Sequence, residues 1–600
     1  MRSSCTGSPD DVRVALRYGT RMRVALGCMR LSTESTRDDE RALATLEAAL
    51  DAGVRVFDTA RSYALDERDL GHNERLVAQA LKRRPAVAAR VVTKCGMRRD
   101  DGAWIPDGRA RAILDDATAS VRALDGVAID VLLLHAPDPR VSIATSARAL
   151  ARVQADGLAR SVGVSNVSRK QLEEAAGHAP IAAVEVALGA FDAAAIRGGV
   201  VGFCLERGIE ILAHSPLGGP ERARRLPRDS ALARIGAELR ASPVDVFLAY
   251  LLAVRPEIVP VVGARRIETI AHIARAAQLV LDAAQLAVLD ERFASLGQTR
   301  RPIAAVPVSE RAAEIVLVMG VPGSGKSRAA QSYVERGYDR LNRDAEGGSL
   351  KKIARLLDER LAGGAARVVL DNTYVTRASR YDIVRVAAEH GARVRCVHFE
   401  TPLADAQINV ITRMLERFGR VLEPEELDKQ ARTDAASLAP HAVFRMQREL
   451  EPPAADEGFA TIERVRFERQ FANGGVAGSF VALATFDADA GALSALLSET
   501  PETAPALVYA WQPDATEDGL HALRAMIEGV AAVTGRVVEV AVCSHPGGRP
   551  ICWCRPPLPA MLLAFAHRHR IDLRISMLIG ASTTDAAMAR ALGMSFRSVS

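Results

Sequence analysis

Residues 56–63 read VFDTARSY. A β-rich run closes on Asp58, and Tyr63 follows five residues later, past the strand end. The surrounding sequence repeats this grammar. Short strand-like runs at 21–28 (RMRVALGC), 55–60 (RVFDTA), 91–95 (VVTKC) and 130–137 (DVLLLHAP) are followed by four more. These are 159–166 (ARSVGVSN), 182–188 (AAVEVAL), 210–216 (EILAHSP) and 258–264 (IVPVVGA). Amphipathic segments such as 40–53 (ERALATLEAALDAG) and 111–126 (RAILDDATASVRALDG) lie between them. Eight β–α alternations between residues 22 and 295 predict a closed parallel (β/α)8 barrel rather than an open sheet.

In such barrels the chemistry gathers where strands end at their C-terminal side. Asp58 ends the second run, Lys94 the third and His135 the fourth, with Tyr63 in the second loop. Four polar groups from separate loops are thus expected at one mouth. A phenol, whose pKa is near ~10, needs a neighbouring cation to act as acid or base at neutral pH.

The segments DTARSY, VVTKC, LLLHAPD and VGVSN resemble the aldo-keto reductases across nearly all of 22–295. The resemblance implies Tyr63 as proton donor, Lys94 lowering its pKa, Asp58 pairing with Lys94 and His135 orienting a carbonyl. It implies NADP(H), with Ser165 and Asn166 holding the nicotinamide amide and Leu217, Gly218 and Gly219 near the pyrophosphate. Gly263, Arg265 and Arg266 follow the eighth strand, and the two arginines suit a 2′-phosphate. Three positions depart from the pattern. Glu185 stands where glutamine is usual, and His214 where a stacking aromatic is common. The segment IETIAHIARAA (267–277) lacks the usual Glu-Asn pair.

After a linker expected at 298–312, EIVLVMG leads into GVPGSGKS. Gly320 to Ser327 fits G-x-x-x-x-G-K-[ST], between an apolar strand and a helical run. Backbone amides around Gly320, Gly323, Ser324 and Gly325 would wrap phosphate, Lys326 would reach the β- and γ-phosphates of ATP, and Ser327 would bind Mg²⁺. The order DRLNRDAEGG (339–348), then ARVVLDNTYVTRASR (366–380), resembles polynucleotide-kinase-like P-loop phosphotransferases. That implies Asp344 as base with Arg343 nearby, and Asp371, Asn372 and Thr373 at the metal and acceptor site. It also implies an arginine lid from Arg413, Arg417 and Arg420. The implied acceptor is a nucleic-acid 5′-hydroxyl; a small-molecule kinase is the alternative.

The run SFVALATFDADAG (479–491) resembles the first motif of haloacid-dehalogenase-type (HAD-like) phosphatases. Asp487 and Asp489 keep the carboxylate spacing, and Asp585 lies near the family's last motif. That family needs a cation, normally lysine. Lysine occurs seven times, at 82, 94, 170, 326, 351, 352 and 429, so none follows Lys429, and Arg555 is the substitute at hand. The module is therefore expected to be inactive. Cys543, His545, Cys552 and Cys554 form a C-x-H-x6-C-x-C array suited to closed tetrahedral structural zinc.

The expected layout is a disordered extension at 1–20, a barrel at 21–297, a P-loop kinase-like α/β domain at 313–468 and a HAD-like α/β domain at 476–600. Six hundred residues exceed one core, since cores stop growing near ~250–300 residues. Net charge of +5 demands neither nucleic acid nor an anionic membrane. The start MRSSCTGSPDDVR has no apolar signal region, and no apolar run approaches a span of ~18 residues, so a cytoplasmic protein with no membrane partner is expected. A carbonyl-reducing enzyme with an added kinase activity is the leading reading. An NADP(H)- and ATP-binding redox sensor or scaffold is the other.

Overall fold

The computed structural model describes residues 22–297, 303, 305–306, 313–430, 437–469, 474–483, 489–501, 503–513, 516–548 and 551–599. The expected extension at 1–20, most of the 298–312 linker, and Asp487 lie outside the described residues. The chain divides into two compact units, Met1–Arg301 and Pro302–Ser600.

In the first unit, β1 (Ala25–Gly27), β2 (Val56–Asp58) and β3 (Arg90–Cys95) lead into a hairpin, β4 (Met97–Asp100) and β5 (Ala103–Pro106). The barrel continues with β6 (Val131–Leu134), β7 (Ser161–Ser165), β8 (Ile181–Ala187), β9 (Glu210–His214) and β10 (Ile258–Gly263). Apart from the hairpin, every strand pairs in parallel with the next, and β10 closes on β1. This is the predicted eight-stranded barrel. Branched side chains such as Val56, Val92, Val131, Leu133 and Val259 fill its interior. Helices surround it, started by side-chain caps: Asp38 for Asp39–Asp51, and a Ser168–Gln171 box for Arg169–Ala176. Gly163 of β7 has no substitute, since a Cβ there would lie 2.1 Å from the Ala183 carbonyl oxygen.

The hairpin was not foreseen. Its turn is Asp101-Gly102, with φ of 45° and 76°, the left-handed pair that a two-residue hairpin requires.

The second unit holds two parallel sheets. One contains β11 (Glu314–Met319), β12 (Asp339–Leu341), β13 (Arg367–Asp371), β14 (Arg393–Glu400) and β15 (Thr461–Arg466), in the order β12-β13-β11-β14-β15. The chain fills one side of β11 and then the other, which opens a crevice at the C-terminal end of β11. The other sheet contains β16 (Ser479–Ala482), β17 (Ala506–Trp511), β18 (Val538–Cys543), β19 (Met577–Gly580) and β20 (Ser595–Ser598), in the order β18-β17-β16-β19-β20.

Each sheet packs its own apolar clusters, and a further cluster links them through one helix. Ile411 and Met414 of helix Leu403–Phe418 share one apolar cluster with Trp553, Leu562 and Phe565 from the C-terminal part. Among the described residues, no helix is long and apolar enough to cross a membrane.

Candidate functional sites

Strand ends of the barrel bring Asp58, Tyr63, Lys94 and His135 together, as expected. Lys94 is 2% exposed and donates to an Asp58 carboxylate oxygen and, at 3.2 Å, to the Thr59 carbonyl. Its third neighbour is Glu185 on β8, whose Oε2 lies 3.2 Å from the ammonium. That oxygen makes no aligned hydrogen bond. The ammonium stands 5.1 Å from the centre of the Tyr63 ring.

Burial works against the charged form of Lys94, but Asp58 and Glu185 outweigh it and hold the ammonium well above its ordinary pKa. Asp58 is raised, first by burial and then by Glu185, with Lys94 opposing. The phenol departs from expectation. Burial raises the Tyr63 pKa further than Lys94 lowers it, and Asp58 and Glu185 add to the rise. Tyr63 is therefore a firmly protonated donor, not a phenol tuned toward ionisation. His135 is pushed down to about 3 by burial, Lys94 and His214, so its imidazole stays neutral. Its Nδ1 lies 3.1 Å from the Ser62 hydroxyl; with that hydroxyl donating, the ring proton sits on Nε2 and faces the mouth.

Trp104, on the unforeseen hairpin, packs edge-on to Tyr63 at 6.1 Å and to His135 at 5.8 Å. It adds an apolar wall, and the Asp-Gly pair at 101–102 was the sequence clue to it.

The neighbouring loops hold the positions expected for cofactor. Asn166 takes a left-handed φ of 56° and donates to the His135 carbonyl and to Ser165 Oγ, each at 3.1 Å. The His214 ring is oriented by Asn166, whose Oδ1 lies 2.9 Å from its Nε2. Gly218 has φ of 81°, and a Cβ there would strike Phe191 at 2.4 Å. Leu217 packs on the barrel core, while Gly263 and Arg266 are exposed where β10 ends. Arg265 pairs with Glu34 and reaches Thr36 at 3.3 Å, so only Arg266 is a fully exposed guanidinium in this pair.

A cleft of about 1050 Å³ opens beside the 320–327 loop. Gly323 has φ of 81°, and a Cβ there would meet the Ala406 carbonyl at 2.2 Å, so helix Leu403–Phe418 lies directly against the loop. Asn409 donates to the Gly323 carbonyl at 2.8 Å. Lys326 folds back to the Val321 carbonyl at 2.7 Å and to Ser324 Oγ at 3.4 Å, and Ser327 is exposed at the helix start. Asp371, Asn372 and Asp344 line the same cleft. Asp371 is paired with Arg340. Asp344 does not cap its helix; Asn342 does, leaving the Asp344 carboxylate half exposed beside Arg343.

The arginine lid shrinks to one residue. Asn409, Thr412, Arg413 and Glu416 form the helix stripe facing the cleft. Arg417 falls off that stripe and lies over the Phe418 ring, and Arg420, beyond the αL cap at Gly419, pairs with Glu426.

In the C-terminal part, Cys543, His545, Cys552 and Cys554 converge, with ligand atoms all within 4.8 Å of one another. His545 Nδ1 faces the sulfurs, and its Nε2 lies 3.3 Å from Glu423. That is the outer carboxylate which commonly orients a metal-bound imidazole. The acidic residues nearby have structural duties. Asp489 caps helix Ala490–Ser498, and Asp585 completes the capping box of Ser582 at the start of helix Thr583–Leu592 while accepting from Tyr509 at 2.9 Å. Arg555 donates to the Pro546 and Gly548 carbonyls.

Burial lowers the Lys326 pKa to about 8. Only its protonated form attracts an anion, so affinity for MgATP should fall as the pH rises through that value. Calorimetric titration of the full chain measures this; affinity unchanged past that pH contradicts a phosphate role for Lys326.

Residues 23–292 match the aldo/keto reductase family, and residues 315–449 match the AAA domain. An uncharacterised oxidoreductase of Schizosaccharomyces pombe is 26% identical over 274 residues, covering 45% of this chain and 86% of its own. The 6-dehydroglucose reductase of Agrobacterium fabrum is 29% identical over 275 residues, covering 43% of this chain and 90% of its own. A solved aldo-keto reductase from Klebsiella pneumoniae in complex with NADPH is 22% identical, covers 45% of this chain and 90% of its own, and superposes with a TM-score of 0.39. The chain thus carries an aldo/keto reductase domain over residues 23–292, followed by an AAA-type P-loop domain over residues 315–449.

Proposed function

We propose that the barrel reduces an aldehyde or ketone with NADPH. The observation that carries this reading is the buried Asp58–Lys94 pair beside Tyr63 and a neutral His135. The nicotinamide supplies hydride when bound. Ser165 and Asn166 would hold its amide, and Arg266, with Arg265 once released from Glu34, would meet a 2′-phosphate. The unsatisfied Glu185 oxygen fits a donor group arriving at this floor.

The protein supplies the proton and the alignment. Nε2–H of His135 and the Tyr63 hydroxyl both donate toward a carbonyl oxygen at the mouth. As negative charge develops there, Tyr63 gives up its proton and Lys94 stabilises the phenolate. Trp104 narrows the entrance with apolar surface. Tyr63→Phe should lower NADPH-dependent turnover of an aldehyde panel by about 10²–10⁴-fold while leaving NADPH affinity intact. Tight NADPH binding with no turnover by the unaltered chain would instead favour the redox-sensor reading.

For the P-loop part we infer ATP-dependent phosphoryl transfer. Lys326, Ser327 and Asp371 would hold ATP and Mg²⁺, Arg413 would neutralise charge on the transferring group, and Asp344 would take the acceptor proton. The half-exposed Asp344 is open to an acceptor hydroxyl, for which a polynucleotide 5′-end is the leading reading and a small molecule the alternative. Labelled γ-phosphate should pass to 5′-hydroxyl oligonucleotides and stop with Asp344→Asn; transfer to metabolites alone would select the small-molecule kinase.

The C-terminal part reads as a non-catalytic, HAD-like module. Asp489 and Asp585 are engaged at helix starts, and no lysine follows Lys429. Its thiols and imidazole would hold a structural zinc ion, so the purified chain should contain about one equivalent; a metal-free chain of unchanged thermal stability contradicts this.

A further inference from the structure

Glu185 does more than replace a neutral amide. It occupies the strand position paired with Ser165, and its carbonyl accepts the Asn166 backbone N–H at 2.9 Å. It therefore lies directly beneath the two residues assigned to the nicotinamide amide. It is 3% exposed, and its Oε2 faces the Lys94 ammonium at 3.2 Å without an aligned hydrogen bond. Two carboxylates, Asp58 and Glu185, share one cation, Lys94. The other titratable groups acting on this cluster are Tyr63, which stays protonated, His135, which stays neutral, His214 and Cys28. Two carboxyl groups face one ammonium at this water-shielded floor, and burial with Glu185 raises Asp58 to about 8, so the excess negative charge develops as the pH rises through that value.

The two redox forms of a nicotinamide differ in charge: the oxidised ring is cationic, and the reduced ring is neutral. A buried anion therefore interacts with them unequally, and at low local dielectric the difference is large. We propose that Glu185 sets the redox preference of the barrel, so that the site holds NADP⁺ more tightly than NADPH. The proposal rests on the nicotinamide reading of the barrel mouth. It makes the barrel slow to release oxidised cofactor and draws the bound pair toward carbonyl reduction, and it assigns Glu185 as a positioning and specificity residue rather than a proton donor.

Fluorescence or calorimetric titration of the full chain with each dinucleotide, at mildly alkaline pH, tests it. The unaltered protein should bind NADP⁺ more tightly than NADPH. Glu185→Gln should shift the ratio of the two dissociation constants toward NADPH by about tenfold or more. Glu185→Asp, which keeps the charge, should leave the preference for NADP⁺ in place. Tighter NADPH binding by the unaltered chain overturns the proposal even if the glutamine variant fails to fold. An unchanged ratio in a folded Glu185→Gln protein overturns it while leaving the reductase reading intact. Failure of both dinucleotides to bind removes the reductase reading and this proposal with it.

Discussion

A single ammonium, on Lys94, is held out of water by two carboxylates and a backbone carbonyl. An isolated charge at that depth is costly, and only close partners make it tolerable. The pairing draws β2, β3 and β8 together at the barrel mouth and fixes the place beside which Tyr63 stands. It also determines the electrostatics of its neighbours. It helps keep His135 neutral, and it leaves the Tyr63 phenol protonated until charge appears next to it. The proposed chemistry depends on that one ion cluster.

The P-loop cleft solves a related problem with different parts. Lys326 is also buried, but among the described residues no carboxylate pairs with it directly. It donates instead to a loop carbonyl and a serine hydroxyl, and burial lowers its pKa. A lysine held this way is short of anionic partners, which is the state expected of a group that waits for phosphate. The barrel lysine is saturated and the P-loop lysine is not, and the contrast matches a positioning role in one case and ligand binding in the other.

Much of this was legible in the residues. Eight β–α alternations specify the barrel because each strand must bury both faces and each helix one. Strand-end positions of Asp58, Lys94 and His135 follow from the same periodicity. The glycines of the phosphate loop announced their conformation, since φ of 81° at Gly323 against a neighbouring carbonyl admits no side chain. Other features depended on tertiary contacts that a linear pattern does not encode. Which arginines of the 403–418 helix face the cleft depends on where that helix is pinned, by Asn409 on the Gly323 carbonyl. The engagement of Arg265 by Glu34 crosses more than two hundred positions of chain. The sign of the Tyr63 shift was missed because burial, which the sequence does not show, outweighs the visible lysine. The apolar cluster that joins helix 403–418 to the C-terminal sheet likewise arises from Trp553 and that helix meeting in space.

The central claim is that Lys94 is the cation on which the barrel mouth is built. Hydrogen exchange of the full chain carrying Lys94→Met measures it locally, through peptides spanning 56–63 and 90–95. With Asp58 and Glu185 left buried without a counter-charge, the opening free energy there should fall by about 3–5 kcal/mol. The deficit should shrink as acid discharges Asp58, whose pKa burial and Glu185 raise. Protection of those peptides that is unchanged by the substitution would contradict the account.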